Sequence, residues 1–273
     1  MRLRATRLSG ISGRSRRPWT PAQLPNLALW LDAEDMGSIT LNSGNVSAWA
    51  DKSGSGRNAT QSDGSRQIPY NTTGLNSKPA LVFPNTTNGL FISTANYNWA
   101  TDRKFANFVV AELTNTANVF LRLLNSEALN SGGTDYQFGF LGNGNPATNL
   151  FAIAGLDSIT PQISNLFGAP RIITHIFGTG GMGANVNGSS INAGTILETP
   201  NCTGALATLG MVIGARVSPP SFSWRGPLGE VIQVSGDLTV QNRQRVEGYL
   251  AWKWRLQASL PADHPFRNAP PLI

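Results

Sequence analysis

The sequence predicts an all-β fold: a two-sheet antiparallel jelly-roll sandwich closed by one C-terminal α-helix and preceded by a basic N-terminal arm. Three observations predict it. Short apolar runs recur along the chain with Gly, Asn and Pro between them, the pattern of a sandwich or jelly roll. Apolar residues take helical spacing convincingly only once, where Val246, Tyr249 and Leu250 share a face that Trp254 continues. Six arginines precede the first acidic residue, Asp32.

Those six, Arg2, Arg4, Arg7, Arg14, Arg16 and Arg17, account for the net charge of +6. Taking them from the 21 basic residues leaves 15 basic against 15 acidic, so the rest of the chain is neutral. The charge therefore marks an arm, residues 1–18, too polar to fold alone and either disordered or ordered by a partner. No apolar stretch follows it as a secretory signal would require, and the twin-arginine hint at Arg16-Arg17 runs into prolines and Asp32 too soon. No run of about 18 apolar residues could cross a membrane. Cys202 is the single cysteine, so neither a disulfide framework nor a Cys/His metal cluster is expected.

From Trp19 to Ile273 a single domain is expected. Leu27–Ala33 reads as an apolar strand ending near an acid, and Gly44–Asp51 as a second with Val46, Ala48 and Ala50 on one face. The loop from Asp51 to Thr60 is rich in turn residues, and Asp51 is placed to bind neighbouring N–H groups. Further strands are expected at Pro79–Phe83, Gly89–Ile92, Phe108–Ala111, Val119–Leu124, Tyr136–Leu141 and Leu150–Ala154. Arg171–Phe177, Ala184–Asn187, Leu209–Gly214 and Leu228–Val234 complete the set. The last turns at Gly236-Asp237 into the helix, whose first N–H groups Thr239 can cap and which the prolines at 261 and 265 stop. Strands and helices do not alternate, which argues against a parallel α/β sheet, and no internal repeat suggests a propeller.

Two ordered sets of motifs carry a resemblance. The first is Leu29-Trp-Leu-Asp-Ala, Val46-Ser-Ala-Trp-Ala-Asp-Lys-Ser-Gly-Ser-Gly-Arg-Asn-Ala-Thr-Gln and Lys78-Pro-Ala-Leu-Val-Phe. The second is Ile213-Gly-Ala-Arg, Gly229-Glu-Val-Ile, Arg245-Val-Glu-Gly-Tyr-Leu-Ala-Trp-Lys-Trp and Leu260-Pro-Ala-Asp-His-Pro-Phe. Together they resemble the concanavalin A-like (laminin-G-like) jelly rolls of phage structural proteins and bacterial surface proteins. The motifs cover the first third and last fifth of the chain; between them only the pattern matches. The resemblance implies that the chain ends meet in a closing seam, with Trp30, Trp49, Trp252 and Trp254 as core or seam anchors rather than sugar-stacking platforms. Trp99 and Trp224, in polar surroundings, are the candidates for exposed stacking.

Relatives of this fold include glycoside hydrolases, whose chemistry needs two carboxyl groups roughly 5–9.5 Å apart. No run places two acids on one strand face: Glu34 and Asp35 are adjacent, and Glu112 and Glu230 are isolated. Glu230 is expected to pair with an arginine of a neighbouring strand, Arg216 being the candidate. His175, alternating with Ile173 and Phe177, reads as a sheet or core histidine, and His264 as a structural hydrogen-bonding residue of the tail. The glycine-rich Gly178–Gly183 stretch lacks the Lys-Ser/Thr ending of a phosphate loop. One acid in the Asp51 loop is too little charge for calcium. No catalytic centre, cofactor or metal is therefore expected.

Two functions fit. One is a non-enzymatic phage virion protein (head decoration, adaptor or tail/fibre component) whose arm binds capsid, portal or tail proteins, as a homo-oligomer with trimers among the options; membrane insertion and nucleic-acid binding are not expected. The other is a carbohydrate-binding module of a bacterial surface or secreted protein. In both, Trp99, Trp224, Asn143 and Asn145 are the glycan-binding candidates, and a virion jelly roll could bind host-surface glycans.

Overall fold

The computed structural model describes residues 16–84, 89–92, 104–114, 120–126, 136–142, 147–154, 157–159, 162–164, 168–178, 181–191, 210–215 and 223–273. Its first strands are β1 (Leu27–Asp32), β2 (Ile39–Asn42), β3 (Asn45–Trp49), β4 (Ala59–Thr60), β5 (Ile68–Leu75) and β6 (Lys78–Phe83). β7 (Leu90–Ile92), β8 (Phe105–Ala111), β9 (Phe120–Ser126), β10 (Tyr136–Gly142), β11 (Ala147–Ala154), β12 (Asp157–Ile159) and β13 (Gln162–Ser164) follow. β14 (Arg171–Gly178), β15 (Gly181–Val186), β16 (Ser189–Ser190), β17 (Met211–Ile213) and β18 (Gly226–Ser235) lead into helix α1 (Val240–Lys253).

All pairings are antiparallel and make two sheets. In the first, β18 lies between β1 and β6 on one side and β8 on the other, with β14, β15 and β16 beyond β8. In the second, β7, β17, β9, β10 and β11 are successive neighbours, with the β2–β3 hairpin attached through β4. β5 joins the two, pairing through Ile68 and Pro69 with β3 and through Tyr70 to Leu75 with β6. The sequence reading lacks β5. Its Pro69 and its run Asn71-Thr72-Thr73 suit a half-exposed connecting strand rather than an apolar one.

The first sheet is covered on both faces. Leu29, Leu31, Val109, Ile173, Phe177 and Val231 point into the sandwich against Trp49, Leu121, Leu123 and Trp224. Trp30, Ala106, Phe108, Val110, Ile172, Ile232 and Val234 point the other way, onto Val246, Leu250, Ala251 and Trp254 of the helix end. Every residue of β8 is accordingly buried. The helix begins as expected, with Thr239 Oγ1 accepting from the Asn242 amide at 3.2 Å. Its close fit requires glycine at two positions. A Cβ on Gly229 would lie 2.5 Å from the Trp254 ring, and one on Gly248 2.5 Å from Phe266.

The chain ends meet. The Trp19 amide donates to Pro271 at 3.0 Å and the Ile273 amide to Arg17 at 2.9 Å. Arg17 and Pro18, placed in the arm by composition, thus lie along the C-terminal residues, while Arg16 and Arg17 keep exposed side chains. Arg2, Arg4, Arg7 and Arg14 lie outside the described residues.

A polar row crosses the sandwich interior where apolar residues would be the default. Gln233, Asn107 and His175 stand in register on β18, β8 and β14, and Gln233 Nε2 donates to Asn107 Oδ1 at 2.8 Å. His175 is fully buried, and desolvation holds its pKa down at about 3.

Two stability measurements test this packing. Trp254→Ala is expected to cost about 3–5 kcal/mol in denaturant unfolding, and Gly229→Ala about 1–3 kcal/mol because the added methyl displaces the same ring. His175 gives a pH dependence of definite sign. Its folded pKa is depressed, so between about 3 and the ordinary 6.5 the unfolded chain binds the extra proton. Its contribution is complete above that window and is lost as pH falls, at about 1.4 kcal/mol per pH unit. The stability difference between wild type and His175→Gln should follow that slope; a difference independent of pH would disprove it.

Candidate functional site

The seam between β1, β18 and α1 holds a buried charge cluster. A bulge between Leu228 and Glu230 opposes two residues of β18 to one of β8, and it leaves Glu230 facing the helix. Glu230 Oε1 accepts from Trp30 Nε1 at 2.7 Å and from the Tyr249 hydroxyl at 3.1 Å. Its Oε2 accepts from Trp254 Nε1 at 2.7 Å and pairs with Lys253 Nζ at 2.8 Å. Lys253 also reaches Asp32 Oδ1, whose Oδ2 binds Lys52 at 2.8 Å, and Lys52 goes on to Asp35 at 2.7 Å.

Burial pushes the Glu230 carboxyl up, with Lys253 opposing the shift. Burial alone would lower the Lys52 ammonium, but its bonds to Asp32 and Asp35 outweigh this and hold it above its ordinary value. The Lys52 bond in turn holds Asp35 below the usual carboxylate range. Desolvation, followed by the charge of Glu230, drives the Tyr249 hydroxyl strongly upward, so it stays a donor.

The cation on Glu230 comes from the helix end, because the bulge leaves the carboxylate on the sheet face that α1 covers; Arg216, the partner expected from the sequence, lies outside the described residues. The available signal was Lys253 itself, one cation among Tyr249, Trp252 and Trp254 at the end of an otherwise apolar helix face.

A second buried carboxylate, Glu247, receives Arg243 Nη1 and Asn185 Nδ2, both at 3.1 Å, and lies 3.3 Å from His264 Nε2. His264 therefore has the structural role its sequence position suggested, fastening the tail to the helix. Trp30, Trp49 and Trp254 are buried, and half-buried Trp252 donates to the Phe266 carbonyl at 2.7 Å. All four act as anchors.

Trp224 is a correction. It is fully buried, joining the sandwich core, with its amide bonded to Gly214 at 2.7 Å. Its polar flanks, Ser223 and Arg225, disguised a ring that turns inward where the chain enters β18, so it offers no exposed stacking surface. Trp99, Asn143 and Asn145 lie outside the described residues, as does Cys202. Among the described residues no group of three His, Cys, Asp or Glu could hold a metal ion, and no helix is long and apolar enough to cross a membrane.

Accessible polar chemistry gathers instead beside the Asp51 loop. Asp51 Oδ1 accepts from the Trp30 and Ser53 amides at 3.0 and 2.9 Å, and Oδ2 from the Ser53 hydroxyl and the Arg57 amide at 2.8 and 3.0 Å. Arg57 Nη1 donates to the Ala28 carbonyl at 2.8 Å, which fixes its guanidinium against the start of β1. Between this loop and the end of β18 lies an open cavity of about 320 Å³, with Asn26, Ser55, Arg57 and Ser235 on its wall and no acidic residue among the described ones. Sequence reasoning missed it, because its walls come from positions 26–28, 55, 57 and 235–236. A second cavity of about 200 Å³, beside the chain ends, is walled by Trp19, Tyr249, Trp252 and Pro271 and is almost wholly apolar.

No protein-family model matches the sequence, and no curated protein matches it. Solved structures do match in shape. Domain 4 of AbnA, a GH43 extracellular arabinanase from Geobacillus stearothermophilus solved with arabinotriose, superposes with a TM-score of 0.55 at 12% identity, covering 81% of this chain and 97% of the domain. Trypanosoma rangeli sialidase in complex with sialic acid gives 0.56 at 14% identity, covering 87% of this chain and 36% of the sialidase. This chain thus spans about a third of the sialidase's length. Identities this low speak for the fold alone: the chain is an all-β sandwich of the concanavalin A-like jelly-roll type with one C-terminal helix.

Proposed function

We propose that this jelly roll is a non-enzymatic carbohydrate-binding module, carried on a phage virion through its N-terminal arginines. The observation that carries the binding reading is the composition of the cavity beside the Asp51 loop. Asn26, Ser55 and Ser235 supply neutral donors and acceptors of the kind sugar hydroxyls need, and Arg57 adds a fixed, always-charged donor suited to a carboxylated or sulfated sugar. Glycoside hydrolysis would require a pair of acids, and the described residues of this wall include none. The carboxylates buried nearest the seam, Asp32 and Glu230, are both bound to lysine. The matched arabinanase domain and sialidase were solved with sugars, which agrees with a saccharide as the ligand class.

The virion reading rests on the arm. Arg16 and Arg17 are exposed where the chain leaves the seam, and the rest of the chain has no net charge to attract an acidic partner. The guanidinium groups would gain charge-assisted bonds on meeting an acidic capsid, portal or tail surface. Repeated copies would raise a weak sugar contact by avidity.

Two experiments separate the parts. On a glycan array followed by calorimetry, Arg57→Ala should lower affinity at least tenfold; absence of any glycan binding, or binding indifferent to this change, removes the cavity as the site. Deleting residues 1–18 should abolish incorporation into particles while leaving glycan affinity unchanged. If the truncated chain is incorporated normally, the arm is not the anchor. A surface or secreted bacterial module, the second reading, would show glycan binding and no particle association with or without the arm.

A further inference from the structure

We propose that the side chains of Lys253 and Asp32 condense to an isopeptide bond, with Glu230 as proton carrier, stapling the end of the helix to β1. The two groups are 221 positions apart in sequence and in direct contact, Lys253 Nζ on Asp32 Oδ1. Three features set this pair apart from a surface ion pair.

The first is a second carboxylate on the same nitrogen. Glu230 Oε2 lies 2.8 Å from Lys253 Nζ, within proton-transfer reach, and is fully buried. Burial pushes the Glu230 carboxyl up, which favours its holding a proton. The second is polarisation of the target. Lys52 Nζ binds Asp32 Oδ2 at 2.8 Å, and the Glu34 amide donates to Oδ1 at 3.1 Å. A cation on Oδ2 stabilises the negative charge that oxygen gains when the carbon is attacked. The third is shielding from bulk water. Trp30, Tyr249 and Trp254 border the cluster, and the Lys253 side chain, although it lines the apolar cavity beside Trp19, is only 13% exposed. Held contact in such a site replaces the activation that a free amine and a free acid lack in water.

The step balances without any co-reactant. Starting from the ammonium–carboxylate pair, Glu230 takes a proton from Nζ, and the free amine attacks Cγ of Asp32 as the N–C bond forms. Oδ2 carries the developing charge against Lys52. The C–Oδ1 bond then breaks, Oδ1 leaves as water with the two protons lost by nitrogen, and Glu230 returns to its carboxylate. The product is a neutral amide plus one water, with no oxidation or reduction. A staple there would close nearly the whole domain into one covalent loop, in a chain whose single cysteine allows no intramolecular disulfide.

The test is the intact mass of the full-length folded protein. The expected mass is one water, about 18 Da, below that of the sequence. Proteolysis should release a branched peptide joining the Asp32 and Lys253 segments. Lys253→Arg, which keeps the cation but cannot condense in this way, should restore the full sequence mass, and Glu230→Gln should leave most of the chain uncondensed when freshly made. A wild-type mass equal to the sequence mass after prolonged incubation, meaning an ion pair only, overturns the proposal. So does a water loss that fragmentation assigns elsewhere, to Lys52 or to a succinimide. The wild-type result decides the question even if a variant fails to fold.

Discussion

A carboxylate buried at Glu230 is the constraint on which the seam depends. Removing such a charge from water costs several kcal/mol, and a fold can contain it only where cations and donors offset that cost. Here four donors converge on two oxygens, and they come from two different elements: Trp30 from β1, and Tyr249, Lys253 and Trp254 from the helix end. A purely apolar interface would tolerate sliding of the helix over the sheet by a fraction of a turn. Four directional bonds to one carboxylate do not. The seam is therefore set by hydrogen-bond geometry, and apolar burial supplies most of the attraction around it.

That division explains the shape of the domain. The first sheet has apolar side chains on both faces, and either face alone in water would be unstable. The second sheet covers one, and among the described residues α1, its tail and the segment from Trp19 to Leu24 cover the other. The tail is itself fastened by a second buried acid, Glu247, through His264, and by Trp252 through the Phe266 carbonyl. Both ends of the described chain are then held along the same edge by the backbone bonds of Arg17 and Trp19. Buried polar groups here specify a unique arrangement, and Gly229 and Gly248 provide the clearance that arrangement requires.

Much of this was legible in the sequence, for identifiable reasons. Thr239 and the Val246/Leu250/Trp254 face announce the helix, because capping and 3.6-residue spacing are local properties. Strongly apolar strands such as β8, β14 and β18 are legible for the same reason, whereas β5 is not, since its residues are chosen to bridge two sheets at half exposure. Trp224 shows the limit of local reading: neighbours in sequence were polar, neighbours in space are apolar. The charge cluster lay beyond sequence reasoning because the direction of Glu230 is decided by a one-residue bulge. Asp32, Lys52 and Lys253 become partners only once β1, the loop after β3 and the helix end are brought together.

Trp30 connects this framework to the accessible chemistry. Its indole N–H is committed to Glu230, its backbone N–H to Asp51 Oδ1, and its carbonyl to the Lys52 amide at 2.8 Å. Lys52 stands 4.4 Å over the same ring while binding Asp32. Asp51 in turn holds Ser53 and the Arg57 amide, so the loop that walls the polar cavity is anchored through two residues to the hydrogen-bonded seam. A loop so anchored gives up little further conformational freedom when a ligand arrives, and preorganisation of this kind is what allows a few polar contacts to yield measurable affinity. The motif from Trp49 to Asn58 therefore has two jobs in one stretch: Asp51 and Lys52 face inward to close the seam, and Ser55 and Arg57 face outward to the cavity. Structural and recognition roles are separated there by a few residues of chain, and the seam residues that hold the fold together also fix the position of the surface that meets other molecules.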